Sequence, residues 1–257
     1  MKILSLNVWA GREFDPLIKY ISEKSADTDI FCFQEVFDTP TNEKIVNDCY
    51  RANIYSELEK MLGNHAGHFA PVQDDWGFDS RVDFPLSWGV AMFLKKSIDI
   101  EQVGDIFIRG NYNSKKDDNT TVPRNLQYVV FNKKGKNYVV AHFHGLWNGK
   151  GKGDCSERIA QSLRVKKFMD NIEGKKILCG DFNLNPDTQS LVMLEEGNVN
   201  LIKKYEIKST RSLLYKSYGK SSHFADYVIA SPDVNVYDFE VPNVKVSDHL
   251  PMIISFD

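Results

Sequence analysis

Polar side chains able to bind a metal or move a proton recur at the ends of apolar runs in this chain. Asn7 ends the first run, Glu35 the second and His144 a middle one. Asp181 and Asn183 follow Lys176–Gly180, Asp226 opens the run Asp226-Tyr227-Val228-Ile229, and Asp248-His249 precede the last. One polar residue at a strand end is ordinarily a cap or a loop residue, because polar groups favour the surface. Six such places, all of suitable type, point to a shared site, since α/β sheets place ligands at strand ends. Glu35, Asn7 and Asp248 offer hard oxygen ligands. That set suits magnesium, with manganese as the alternative, because magnesium takes one or two carboxylates plus water and substrate phosphate. Asp181 is placed to orient or deprotonate an attacking water. Asn183 would hold that water or a phosphate through its amide. His249 would donate to a phosphate oxygen, held protonated by Asp226.

The elements that must position these residues can be traced along the chain. Lys2–Asn7 and Asp29–Phe33 read as buried strands. Pro16–Ser25 carries Leu17, Ile18 and Ile21 at helical spacing, and reads as a helix capped by Asp15. Thr41–Leu62 reads as a long helix, and Gly63–Pro85 mostly as loop. Strands are expected at Ser87–Leu94, Ile100–Arg109, Leu126–Asn132 and Tyr138–His144, the last two joined by a turn at Lys133-Lys134-Gly135-Lys136. A Gly/Lys-rich loop covers Gly145–Asp154. A helix is expected at Ser156–Ile172, a short strand at Lys176–Cys179, then a helix led by Pro186. Three closing strands fall at Ala225–Ile229, Val234–Val241 and Met252–Phe256. Strands outnumber helices without regular βαβ alternation, so the fold class is α/β or α+β, with mixed sheets and helices outside. No linker divides residues 1–257, which read as one domain.

Composition narrows the classes. The 257 residues carry a formal net charge of -3, without the basic excess of a dedicated nucleic-acid binder. Cys32, Cys49, Cys155 and Cys179 form no CxxC pair, which argues against zinc and for reduced core thiols in a cytoplasmic protein. No signal peptide is evident, and no run reaches the roughly 20 apolar residues of a membrane span. Asn119-Thr120-Thr121 fits the glycosylation sequon but carries no weight without secretion.

The segments SLNVW, FQEV, HFHG, GDFN, DYV and SDHLP, in this order from Asn7 to His249, resemble the endonuclease/exonuclease/phosphatase superfamily. The resemblance implies a four-layer sandwich of two mixed β-sheets flanked by helices, with the site in a cleft at one edge. It implies a metal-dependent phosphoesterase. Asn7 and Glu35 match metal-site positions and His144 the mid-chain catalytic histidine. Asp181 and Asn183 match the pair that activates water and holds phosphate. Asp226 matches the acid orienting the last histidine, and Asp248 and His249 the closing metal-site acid and phosphate-binding histidine. His142 alternates with His144 on one strand face, so either could fill the histidine position; the loop after His144 favours it, leaving His142 a supporting or substrate-side role.

The partner expected is a phosphate-ester substrate. A phosphodiesterase or nuclease reading leads, from the family's mix of activities, although net charge does not favour nucleic acid. A phosphomonoesterase acting on a small metabolite or lipid head group is the alternative, and a non-catalytic binding module of the same fold is the rival of another class. The Gln34-Glu35-Val36-Phe37 run lacks the lysine usual in AP endonucleases. No dense basic cluster supports an inositol phosphatase, and no exposed apolar hairpin a sphingomyelinase. Candidate substrate contacts are Arg81, Arg124, Trp147, Lys150 and Arg211, with Lys152 and backbone N–H groups of the same loop available to a phosphate.

Overall fold

The computed structural model describes residues 1–46, 49–78, 80–114, 122–219 and 222–257. The sequon at 119–121 lies outside them. In chain order the strands are β1 (Lys2–Asn7), β2 (Ile30–Asp38), β3 (Ile45–Val46), β4 (Tyr50–Arg51), β5 (His65–Asp74), β6 (Ser87–Lys95) and β7 (Asp99–Arg109). They continue with β8 (Arg124–Lys133), β9 (Lys136–His144), β10 (Lys175–Asp181), β11 (Val199–Asn200), β12 (Asp226–Ala230), β13 (Val236–Glu240) and β14 (Met252–Phe256). The helices are α1 (Phe14–Lys24), α2 (Ile54–Met61), α3 (Ser156–Asn171), α4 (Gln189–Glu195) and α5 (Leu201–Lys204).

Two six-stranded mixed sheets result, in the orders β13-β14-β1-β2-β6-β5 and β11-β12-β10-β9-β8-β7. Each has one parallel pair at its centre, β1 with β2 and β9 with β10, and antiparallel strands around it. Their inner faces pack together: Ile3, Ile30, Cys32 and Met92 of the first sheet share a buried cluster with Tyr138, Val140 and Cys179 of the second. Each such side chain contributes about 1.5–3 kcal/mol by leaving water. On the outer face of the first sheet, Leu17 and Ile21 of α1 and Ile54 and Leu58 of α2 cover Leu4, Leu6, Phe31 and Phe33. On the second, Val165 and Met169 of α3 join Leu191 and Leu194 of α4, and Phe168 packs on Tyr128. The four-layer arrangement expected from the resemblance is present. No described helix is long and apolar enough to cross a membrane.

Three expectations are corrected. Thr41–Leu62 is not one helix; a β3–β4 hairpin precedes α2, which begins only at Ile54. Thr39 and Thr41 accept from nearby backbone N–H groups through their hydroxyls, a local alternative that competes with helix formation. Gly63–Pro85 contains β5, whose pairing with β6 is specified by its neighbour rather than by its own polar-rich pattern. In α1 the N-cap position is Glu13 without a side-chain cap bond, and Asp15 sits inside the first turn, where its charge suits the helix dipole.

The strand directions deliver the polar residues to one place. β1, β2, β9 and β10 all end at the same edge of the sandwich. β12 runs antiparallel to β10, so it starts there, with Asp226 opposite Asp181. β14 runs antiparallel to β1, so the segment carrying Asp248 and His249 arrives there before it begins.

Candidate active site

Side-chain alternation alone would aim Glu35 at the helices, as it does Phe31 and Phe33. A β-bulge between Gln34 and Val36, with Glu35 at φ 57°, turns it toward the inner edge instead. A positive φ at a non-glycine residue is a strained conformation, of the kind that concentrates at functional sites. Asn183 is likewise left-handed, at φ 52°. Gly145 allows the second close approach: a Cβ there would lie 2.1 Å from the Phe182 carbonyl oxygen. The Gly145 N–H donates to Asp181 O at 2.6 Å, and its carbonyl accepts from Asn183 Nδ2 at 3.3 Å, so the exits of β9 and β10 are stitched together.

Asp181 is the hub. Its Oδ1 accepts from Asn183 N at 2.9 Å and its Oδ2 from Asn7 Nδ2 at 3.1 Å. The same Oδ2 lies 3.6 Å from His144 Nε2 and 3.5 Å from His249 Nε2. His144 Nε2 is also 3.8 Å from Glu35 Oε1. Asp226 faces His249 Nδ1 with both oxygens, at 2.8 and 2.9 Å. Arg211 Nη1 donates to Asp248 Oδ2 at 2.9 Å and makes a short contact to His249 Nε2. Ser247, buried, donates to Asn7 O at 2.7 Å and accepts from His249 N, joining the segment before β14 to the end of β1. All eight residues singled out by type are thus brought together.

Asn7 uses both ends of its amide here. Its Oδ1 accepts from Trp9 N at 2.9 Å, so its amide N–H group points to the carboxylates. His249 differs from its expected state. Burial, reinforced by Arg211, lowers it to about 4, while burial raises Asp226 to about 7 against the opposing Arg211. Burial thus disfavours charge on both partners, and His249 is not held protonated before an anion arrives. Its Nδ1–H donates to Asp226, leaving Nε2 to accept from Arg211.

A metal fits the donor chemistry. Burial and then Asp248 push Glu35 up to about 8, and Asp248 Oδ1 is buried with no hydrogen-bond partner. Crowded carboxylates with unused lone pairs are what a divalent cation relieves. Asp181, Asp226 and His249 also offer three ligand atoms within 4.8 Å of one another. Because Asp226 is committed to His249 Nδ1, Glu35 and Asp248 are the better oxygen donors.

A cavity of about 520 Å³ opens over the cluster. Glu35, His144, Asp181, Asn183, Asp248 and His249 line its floor, Arg124 and Arg211 enter it, and Trp9, Tyr50, Phe78, Trp88, Trp147 and Tyr215 form walls. Arg124 is 5% exposed, lies over the Trp88 ring, and leaves Nε and Nη1 without partners. Burial lowers it to about 10, so it remains a cation at neutral pH.

The other candidate contacts fall elsewhere. Arg81 is exposed, stacks over Trp76 and does not line the cavity. Lys150 is exposed, and Lys152 is buried against the carbonyls of Ser222 and Phe224. His142 is fully buried beneath the floor. Gln34 Nε2 donates to its Nδ1 at 3.0 Å, and its Nε2 donates to Gln127 Oε1 at 2.9 Å. Trp9, Tyr50 and Tyr215 were not singled out in the sequence; only Trp9, inside SLNVW, carried a signal.

His142 gives a stability prediction. Burial depresses it to about 3, so the folded state resists protonation that the unfolded chain accepts near 6.5. Its contribution is full above pH 6.5 and is lost as pH falls toward 3, on the order of a few kcal/mol. Melting temperature from pH 7 to 4 should therefore fall more for wild type than for His142→Leu; parallel curves would refute this.

Residues 4–249 match the model of the Endonuclease/Exonuclease/phosphatase family. The chain belongs to that family. Among solved structures, a mannosyl-6-phosphatase of Bacteroides thetaiotaomicron VPI-5482 is 18% identical, with TM-score 0.69 over 100% of this chain and 99% of that one. A family protein from Leptotrichia buccalis C-1013-b is 18% identical, with TM-score 0.71 over 100% and 99%. D. rerio TDP2 with a single-strand DNA product is 16% identical, with TM-score 0.65 over 100% and 98%. At these identities the likeness is one of endonuclease/exonuclease/phosphatase fold. No curated protein matches. Members of this family are hydrolases of phosphate esters.

Proposed function

We propose that this protein is a metal-assisted phosphoesterase that attacks phosphorus in line with an activated water. The observation that carries the reading is the convergence of Glu35, His144, Asp181, Asn183, Asp248 and His249 on one cavity floor, with Asp226 held against His249 Nδ1 at 2.8 Å. Glu35 and Asp248 would hold magnesium, or manganese, which neutralises phosphate charge when bound. Asp181 accepts the water's proton and Asn183 fixes the water or phosphate by its amide. Arg124 and Arg211 bind non-bridging oxygens. An anion beside His249 and His144 raises both toward protonation, and they then stabilise charge developing in the transition state. The whole of residues 1–257 acts as one domain in this reading.

The phosphodiester reading, with nucleic acid as one substrate, follows from family activities and from the DNA product bound to D. rerio TDP2. The walled cavity, the acidic net charge and the likeness to a mannosyl-6-phosphatase favour a second reading, a small phosphomonoester. Turnover of bis(4-nitrophenyl) phosphate against 4-nitrophenyl phosphate in magnesium separates them. Supercoiled plasmid left intact while a monoester is cleaved decides for the second.

Arg124→Met should raise KM about 10- to 100-fold, since a hydrogen bond to a charged group contributes about 1.5–3 kcal/mol. Inhibition by inorganic phosphate should weaken in proportion. The variant should melt higher than wild type, because it removes a buried cation with unpaired donors. Unchanged phosphate inhibition would remove Arg124 from the phosphate site.

A further inference from the structure

Two tryptophans on the cavity wall have supports out of proportion to their own packing. Trp147 is 41% exposed, and among the described residues its ring makes no aromatic or hydrogen-bond contact. Its loop is nevertheless rigidly braced. Arg158, 2% exposed, donates to the carbonyls of Leu146, Gly151 and Gly153 and to Asn148 Oδ1. Lys152 pins the same loop to Phe224 O at 2.7 Å. Trp9 is only part-buried, left-handed at φ 50°, and followed by Ala10 at φ 48°. Its N–H is tied to Asn7 at the site floor, and the Arg12 guanidinium lies 4.7 Å from its ring centroid. Backbone strain and a buried arginine are costs a fold bears where a side chain must be held in place.

We infer that Trp9 and Trp147 are the specificity walls of the cavity and stack on a ring in the alcohol portion of a small phosphate ester. The inference rests on the phosphoesterase reading for the position of the phosphate, and adds the class of the alcohol. About 520 Å³ is within the range of pockets that enclose whole small ligands. Broad indole faces bind flat bases by stacking and the C–H faces of sugars by dispersion. Hexose phosphates and nucleotides share that chemistry; an acyclic ester does not.

The test compares glucose 6-phosphate, AMP and glycerol 3-phosphate as substrates of wild type, Trp147→Ala, Trp147→Phe and Trp9→Ala in magnesium. Wild type should prefer a ring ester in kcat/KM. Trp147→Ala should reduce the ratio of ring to acyclic ester about tenfold, mainly through KM, with Trp147→Phe recovering much of it. Equal loss on ring and acyclic esters would overturn the inference, as would no loss. Preference for the hexose or the nucleotide identifies which ring is natural. If wild type hydrolyses none of these monoesters or bis(4-nitrophenyl) phosphate, the phosphoesterase reading fails by itself, and saturation-transfer NMR still tests the walls. Transfer to ring protons of glucose 6-phosphate or AMP that disappears in Trp147→Ala upholds them; no transfer to either in wild type overturns them.

Discussion

Asp181→Asn should fold, and should lose about 10²- to 10⁴-fold in turnover, the range a positioned general base supplies. The replacement keeps the shape and one acceptor. Oδ1 can still receive the Asn183 N–H at 2.9 Å, so the left-handed turn after β10 survives. The proton acceptor goes, because an amide nitrogen takes the place of Oδ2. That atom is the one shared by Asn7, His144 and His249, so the new N–H₂ would face the Asn7 amide donors directly. Stability should change little, because a buried anion that raises the cost of ionising Glu35 is removed along with a hydrogen bond to Asn7. Phosphate release and melting temperature measured on the same preparation decide the matter. Turnover within threefold of wild type at unchanged stability would take water activation away from Asp181.

That residue was legible in the sequence, and the reason shows what reading from sequence reaches. Asp181, Asp226 and Asp248 each follow or precede a short apolar run, and the parallel and antiparallel pairings then force them to one edge. Type and position along a strand therefore sufficed. The bulge at Glu35 is different, because the alternation Phe31, Phe33, Glu35 aims the carboxylate the wrong way, and only a positive φ corrects it. β5 was hidden because its sequence, HAGHFAPVQD, has little apolar alternation and borrows its order from β6. The two partners of the Asn7 amide, Trp9 N and Asp181 Oδ2, left no trace in the sequence. The cavity walls were legible only in part, through Trp147 and the Trp9 of SLNVW. Tyr50, Phe78 and Tyr215 come from separate segments, and neither spacing nor periodicity records that segments distant in the chain share a wall. Arg81 and Arg124 were both candidate substrate contacts, yet one stacks outside the cavity and the other is buried inside it with donors to spare.

The metal can be tested through stability as well as turnover, and the two readouts should agree. Chelation should abolish phosphate release, and magnesium should restore it. Glu35→Gln should weaken magnesium binding at least about 100-fold, because even residues that merely support a ligand typically contribute 10- to 100-fold. In the metal-free protein the same substitution should act in the opposite sense. Burial and Asp248 raise Glu35 to about 8 in the folded chain, above the ordinary value near 4.5. The folded state therefore holds a proton that the unfolded state has released. Its contribution is complete below pH 4.5 and is lost as pH rises through about 8, on the order of a few kcal/mol. Metal-free wild type should lose melting temperature relative to Glu35→Gln between pH 5 and 9, whereas magnesium should raise the wild type and leave the variant nearly unmoved. A cation bound by oxygen ligands predicts both effects from one carboxylate. If magnesium stabilised both proteins equally, the cation would be bound without Glu35, and the Asp181, Asp226 and His249 group would be the next place to look for it.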